Sequence, residues 1–372
     1  MRPTSKFNSQ SGYSMVELMV ALGITLVISA ASFALFSGSM KFTNSTYHMT
    51  DAEEALRNAH EVMNRDLTTA GDGLRGIGTI TAPVGFVQTF LTRTPVTCND
   101  PNYPCIGVVT SDDSIPAGTA VPLASTAVNF QPNSDRISML TVDTNFNTGN
   151  AVSLLAGKIT ISGTSTLLNV GTANIGLFQV NEIYAVVSQN SAAFGVVTAV
   201  NTVTGVVTLN NTDGGFGLNQ TSATAPISVL STVISGVSTQ PASIMRIQII
   251  QYFVDANGLL VRRVYGVRGA SFIDSVVAEH ITNLQFRYMT NLLDANGNVQ
   301  QPKRVIATST EQSGLRQIET SIGVETAKAI NAATNVNSSS NACGASPNGK
   351  QSICSTTATT VRNLQFRQAL AP

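Results

Sequence analysis

Charge is the first thing this sequence is short of. Only 11% of its 372 residues are charged, and 21 Lys and Arg balance 21 Asp and Glu. A nucleic-acid surface needs clustered lysines and arginines, so this composition argues against such a partner. The polar surface must come from Ser, Thr, Asn and Gln, which suits an exported, β-rich protein better than a cytoplasmic enzyme. Histidine is nearly missing as well: His48, His60 and His280 are scattered and form no cluster with carboxylates. There is no G-x-S-x-G elbow, no H-E-x-x-H and no Walker loop, so neither catalysis nor a cofactor is expected. The cysteines lack C-x-x-C spacing, which argues against zinc and leaves no metal site in view. Proline is absent between Pro3 and Pro83, so nothing there forbids a long helix.

What fills that proline-free stretch is apolar. From Tyr13 to Phe36 the only charge is Glu17. At ~1.5 Å per residue the segment spans ~36 Å as a helix, enough for a bilayer core of ~30 Å. A short basic leader with Arg2 and Lys6 ends at Gly12, before the apolar run. An ordinary signal peptide is shorter and is cut after its apolar core. A cut at Gly12 would leave the whole apolar helix on the mature chain.

Gly12-Tyr13-Ser14-Met15-Val16-Glu17-Leu18 resembles the leader-peptidase and methylation site of type IV pilins and pseudopilins. The resemblance implies cleavage between Gly12 and Tyr13 by a prepilin peptidase, N-methylation of Tyr13, and an assembly role for Glu17. An unpaired carboxylate in hydrocarbon costs about 3 kcal/mol or more. After cleavage the one positive group on the segment is the Tyr13 amine. The Glu17 carboxylate of one subunit is therefore expected to neutralise the Tyr13 amine of its neighbour.

Beyond Phe36, apolar positions recur at Phe42, Met49, Ala52, Leu56, Ala59, Met63 and Leu67, an amphipathic stripe. Glu53, Arg57, Glu61 and Arg65 follow on the other face in the favourable acid-first order. The helix is expected to end at Ala70, before Gly71 and Gly73. Gly71-Asp72-Gly73-Leu74-Arg75-Gly76 matches the dinucleotide fingerprint literally, but it follows a helix and no strand leads into it. Residues 71–136 read as a connecting loop region.

Residues 137–235 read as a β-rich module of short strands with Gly/Asn turns, and 236–326 as an antiparallel sheet with two Asp-Ala-Asn-Gly turns at Asp255 and Asp294. That string resembles part of a calcium loop, although no acid lies at the distance an EF-hand needs. Residues 327–372 read as a disulfide loop followed by a strand over Val361–Arg367. The cysteines fall into two local pairs, Cys98 with Cys105 and Cys343 with Cys354, both in loop-like sequence. With an export signal, loop-closing disulfides are expected, their connectivity left open.

The expected fold is α+β and pilin-like. Residues 1–12 are a leader, 13–36 the transmembrane half and 37–70 the amphipathic half of one long helix, packed on antiparallel sheet with the extra β-rich module. Arg65–Gly71, and Tyr252–Asp255 followed by Leu260–Arg263, resemble segments of the large PilW-type minor pilins. That resemblance implies a structural subunit that helps initiate type IV pilus assembly at the inner membrane and sits at or near the tip, with adhesion and twitching as outcomes. Implied partners are other minor pilins, the major pilin, a tip adhesin and the peptidase. The implied location is single-pass in the inner membrane with a periplasmic C-terminal domain. Two alternatives stand beside it: a minor pseudopilin of a type II secretion system, and a pilin-anchored adhesin or carbohydrate-binding module.

Overall fold

The computed structural model describes residues 12–74, 79–124, 128–146, 151–154, 159–188, 191–235, 242–267, 269–329 and 350–361. It divides into two units, Met1–Asp51 and Ala52–Pro372. Helix α1, Met15–Thr69, contributes to both. In the first unit its side chains are almost all exposed: Met15 82%, Val27 71%, Phe33 75% and Leu35 76%. This helix is long and apolar enough to cross a membrane.

In the second unit the same helix buries Ala52, Leu56, Ala59, Met63 and Leu67, the stripe that the spacing of three and four predicts. His60 and Asp66 are buried beside them. The helix stops at Thr69, where Gly71 (φ +77°) and Gly73 (φ +71°) take the left-handed backbone that ends a helix. A Cβ on Gly71 would come within 2.7 Å of Val108, and one on Gly73 within 2.8 Å of Val142. The apparent dinucleotide fingerprint is thus a tightly packed helix end as far as Leu74; Arg75 and Gly76 lie outside the described residues.

Strands follow in the order β1 Thr79–Thr81, β2 Val96–Asp100, β3 Tyr103–Ile106, β4 Val109–Asp112, β5 Arg136–Val142, β6 Val152–Ser153, β7 Ile159–Ser162, β8 Ser165–Asn169, β9 Ile183–Ser188 and β10 Ser191–Val196. Then come β11 Ala199–Asn201, β12 Val206–Asn210, β13 Ser243–Val254, β14 Leu260–Val267, β15 Ala270–Ala278, β16 Ile281–Thr290, β17 Leu315–Glu325 and β18 Ser352–Thr360. Among the described residues they form three sheets. One runs β15-β14-β13-β9-β10-β1-β3-β2 with β4, β5 and β6 branching onto it, one is β11-β12-β8-β7, and one is β16-β17-β18. Pairing is antiparallel except for β1 with β10. The architecture is α+β, as expected.

Three features depart from the sequence reading. Residues 71–136 hold four strands, because short runs such as Val109–Asp112 gain partners only from distant chain, here β5. Residues assigned to the 137–235 module and to the 236–326 sheet share one sheet. Half of the long strand β13 pairs with β9 and the other half with β14, while β5 covers its opposite edge. The last described strand is Ser352–Thr360, inside the stretch read as a loop. Its Ser/Thr-rich sequence looked like linker, but alternate side chains face the core and Thr359 is buried there. The strand expected over Val361–Arg367 lies, past Val361, outside the described residues.

The core joins the buried stripe of α1 to Leu284, Phe286 and Tyr288 of β16 and to Ile318, Ile322 and Val324 of β17. Polar latches fix the helix rotation. Asn58 donates to the Val277 carbonyl at 2.9 Å, His60 Nδ1 meets Thr357 Oγ1 at 2.9 Å, and Thr359 donates to Asn64. Asp66 accepts from Tyr252 Oη at 2.7 Å and from Arg262 Nε at 2.5 Å. Burial first, then the Asp66 charge, pushes the Tyr252 phenol well up, so Tyr252 stays a donor.

Removing one member of a buried ion pair strands the other. Asp66→Ala is expected to lower unfolding stability by about 3 kcal/mol, read as a shifted urea midpoint at unchanged slope. Glu61→Ala, on the exposed face, is expected to change it by less than about 0.5 kcal/mol.

Candidate functional site

The stretch from Gly12 to Glu17 is where the sequence concentrates chemistry, and its local structure follows from one tetrad. Gly12, Tyr13 and Ser14 are outside the helix, which starts at Met15. The Ser14 carbonyl accepts from Leu18 N at 3.1 Å, the first helical hydrogen bond. Ser14 Oγ accepts from Val16 N at 3.4 Å, and Glu17 Oε2 accepts from Ser14 N at 3.1 Å. Ser-x-x-Glu is a capping-box string, and here one half of the box forms: Glu17 accepts from Ser14 N, while Ser14 Oγ turns to Val16 N rather than to Glu17 N. Glu17 also places its negative charge where the helix dipole favours an anion. The sequence carries this signal in Ser14 and Glu17, which gives Glu17 a partner within its own chain besides the intermolecular one expected above.

Two consequences follow for the expected processing site. The Gly12–Tyr13 bond sits in exposed, non-helical chain directly before the cap; Tyr13 is 87% exposed. A Cβ built on Gly12 meets nothing within 4 Å, so the folded chain itself places no demand for glycine there.

The other singled-out residues are placed as follows. Cys105 in β3 and Cys354 in β18 are disulfide-bonded. The side chain of Cys98 and the whole of Cys343 lie outside the described residues. The carboxylates of the two Asp-Ala-Asn-Gly turns are occupied by turn amides. Asp255 accepts from Asn257 N and Leu259 N, and Asp294 from Asn296 N and Asn298 N, at 2.8–2.9 Å. No group of three or more His, Cys, Asp or Glu arranged for a metal occurs among the described residues. The glycine-rich run Gly214–Gly217 wraps around Asp213, which accepts from Gly217 N, Leu218 N and Asn219 N at 2.6–2.9 Å. Asp213 was legible only in retrospect, as a short polar side chain before glycines.

Buried charges are mostly spent on one another. Arg136 Nε lies 2.6 Å from Asp112 Oδ2, and Arg263 Nε lies 2.6 Å from Asp274 Oδ1. Arg246 joins Asp143 at 2.5 Å to Glu182 at 2.9 Å, with Tyr184 donating to Glu182. Asp135 is different. It faces two backbone amides, Ser114 N at 2.9 Å and Phe286 N at 2.8 Å, with the Asp113 carboxylate nearby. Burial is the main cause that pushes its carboxyl up to about 7.

A family model described as the prokaryotic N-terminal methylation motif matches residues 7–33. No curated protein matches the chain. Among solved structures, the chain is similar to a type IV-like pilin, TTHA1219, from Thermus thermophilus, at 9% identity. That similarity covers 50% of this chain and 87% of the other, with a TM-score of 0.21.

Asp135 supplies a pH dependence with a definite sign. Its folded value of about 7 lies above the unfolded 3.8, so the folded state keeps a proton that the unfolded state releases. The stability it contributes is full below 3.8 and is lost as pH rises through 7. Urea midpoints across that window should fall for the native chain and fall less for Asp135→Asn; parallel curves would assign the slope to other groups.

Proposed function

We propose that this chain is a type IV pilin-like structural subunit, a minor pilin of the PilW-type class, cut between Gly12 and Tyr13, methylated on Tyr13 and held in the inner membrane by α1. The observation that carries this reading is the methylation motif over residues 7–33, which overlaps the apolar stretch Tyr13–Phe36, whose only charged side chain is Glu17. Cleavage there removes the basic leader and keeps the helix. In that state the helix has one acid, one new amine and a sheath of exposed apolar side chains, the components of a lateral helix bundle.

The capping box refines the role of Glu17. In the single chain its carboxylate is satisfied by Ser14 N, so insertion does not strand a bare charge. Assembly exchanges that neutral donor for the Tyr13 ammonium of an adjacent subunit, so that a bond charged on one side becomes an ion pair charged on both. Other minor pilins, the major pilin and a tip adhesin are the proposed neighbours. Outside the membrane, the proposed partners of the disulfide-bonded Cys105 and Cys354 are their sequence neighbours Cys98 and Cys343. These disulfides would stiffen the loop-bearing ends of an exported domain.

Intact mass analysis of protein from the native host should find N-methyl-Tyr13 at the terminus. Gly12→Ala should leave the folded domain unchanged, since its Cβ meets open space, yet accumulate uncut precursor. Glu17→Val should still be cut but should be depleted from surface pili by about tenfold or more; full incorporation would remove the charge-pairing step. A deletion strain that keeps its pili but no longer releases exoproteins would transfer the subunit to a type II secretion system.

A further inference from the structure

The sheet β16-β17-β18 has two unlike faces. One, with Leu284, Phe286, Ile318 and Ile322, is buried in the core. The antiparallel register puts Asn283 and Gln285 of β16, Ser321 of β17 and Thr356 of β18 on the other, with the Arg287–Glu319 pair in the next row. This outer face floors a cleft of about 840 Å³, closed on its far side by the chain around Ser114 and Asn133 and by Arg304.

The walls are held in place. Asp135 accepts from Ser114 N on one wall and from Phe286 N on the floor strand, and Gln285 Nε2 donates to the Asn133 carbonyl at 2.9 Å. The charges are balanced: Arg287 lies 4.0 Å from Glu319, and Arg304 lies 3.8 Å from Asp113. Hydrogen-bonding capacity is left over. Thr282, which lines the cleft, buries its hydroxyl without a partner. Gln131, whose amide donates to the Thr282 carbonyl at 2.9 Å, buries its Oε1 likewise.

These features select among ligand classes. An anion would find no uncompensated arginine. A metal ion would find one lining carboxylate, Glu319. An apolar ligand would find only Pro132 and the edge of a buried Phe286. A peptide adding as a strand needs a free sheet edge, and this floor is a sheet face whose backbone is engaged in its ladders. Recognition has to run through amide and hydroxyl side chains, which match groups that both donate and accept. A preformed polar cleft with charges cancelled in pairs is suited to a neutral ligand.

We infer that this cleft binds a neutral oligosaccharide, gripped through Asn283, Gln285, Ser321 and Thr356. The inference stands on the cleft alone and survives if cleavage at Gly12 does not occur. The test uses the full chain in a detergent without a sugar headgroup, applied to an array of neutral oligosaccharides. Sialylated and uronic-acid glycans and polar peptides form separate arms. At least one neutral oligosaccharide should bind saturably. Gln285→Ala and Thr356→Val should each weaken it by about tenfold or more, the scale of a lost hydrogen-bonded pair, with the thermal midpoint unchanged for Thr356→Val. If Gln285→Ala fails to fold, Thr356→Val decides, because Thr356 is exposed. Retention of no neutral oligosaccharide, binding confined to the anionic glycans or to peptides, or undiminished binding by the folded variants would each overturn it.

Discussion

A helical surface that water will not tolerate is the constraint everything else answers to. From Met15 to Phe36 α1 exposes Leu, Ile, Val, Met and Phe side chains on every face, and the described chain covers none of them. Such a surface must be taken up by lipid or by other helices of the same kind. A helix apolar all round is a membrane or bundle element, never the wet face of a globular domain. The Ser14–Glu17 box belongs to the same constraint, since the first amides of an apolar helix have no water to satisfy them inside a bilayer. Glu17 answers part of that need from within the chain by accepting from Ser14 N.

The same helix changes its solvent at about Ala52. Beyond it only one stripe is apolar, and the stripe is buried against the β16–β17 sheet. Burial alone would leave a helix free to slide or rotate on a smooth apolar surface. Asp66 with Arg262 and Tyr252, Asn64 with Thr359, and His60 with Thr357 remove that freedom. They bind one turn after another of the helix to strands β13, β14 and β18. The polar residues on the buried side of α1 are therefore registry devices. Single deletions are costly because they leave a partner buried and alone.

How much of this could be read in the sequence depended on whether the determining interactions were local. The stripe from Ala52 to Leu67 repeats with the helix period, and the Asp-Ala-Asn-Gly turns carry their own backbone requirement at Gly258 and Gly297, so both were legible. The Glu17 cap on Ser14 N was legible too, in the four consecutive letters Ser-Met-Val-Glu. By contrast, β1 and β4 consist of three and four residues, and their strand character comes from partners further along the chain, β10 and β5. Strand β18 was hidden because Ser and Thr satisfy a sheet as readily as a loop once Thr357 and Thr359 have side chains of α1 to meet. The cleft was invisible for a similar reason: Gln285, Ser321 and Thr356 become neighbours only through register.

The scarcity of charge then acquires a structural meaning. A chain with few ionisable groups has committed several of them to buried or half-buried pairs: Arg136 with Asp112, Arg246 with Asp143 and Glu182, Arg262 with Asp66, and Arg263 with Asp274. What remains for the surface is largely amide and hydroxyl. A surface of that kind cannot attract a partner from a distance, because long-range steering needs unbalanced charge. It recognises by short-range hydrogen bonding and shape, and salt has little to screen. For the proposed membrane-anchored subunit this is no handicap, since two-dimensional confinement or a filament would bring the partner near and contact chemistry would have only to hold it.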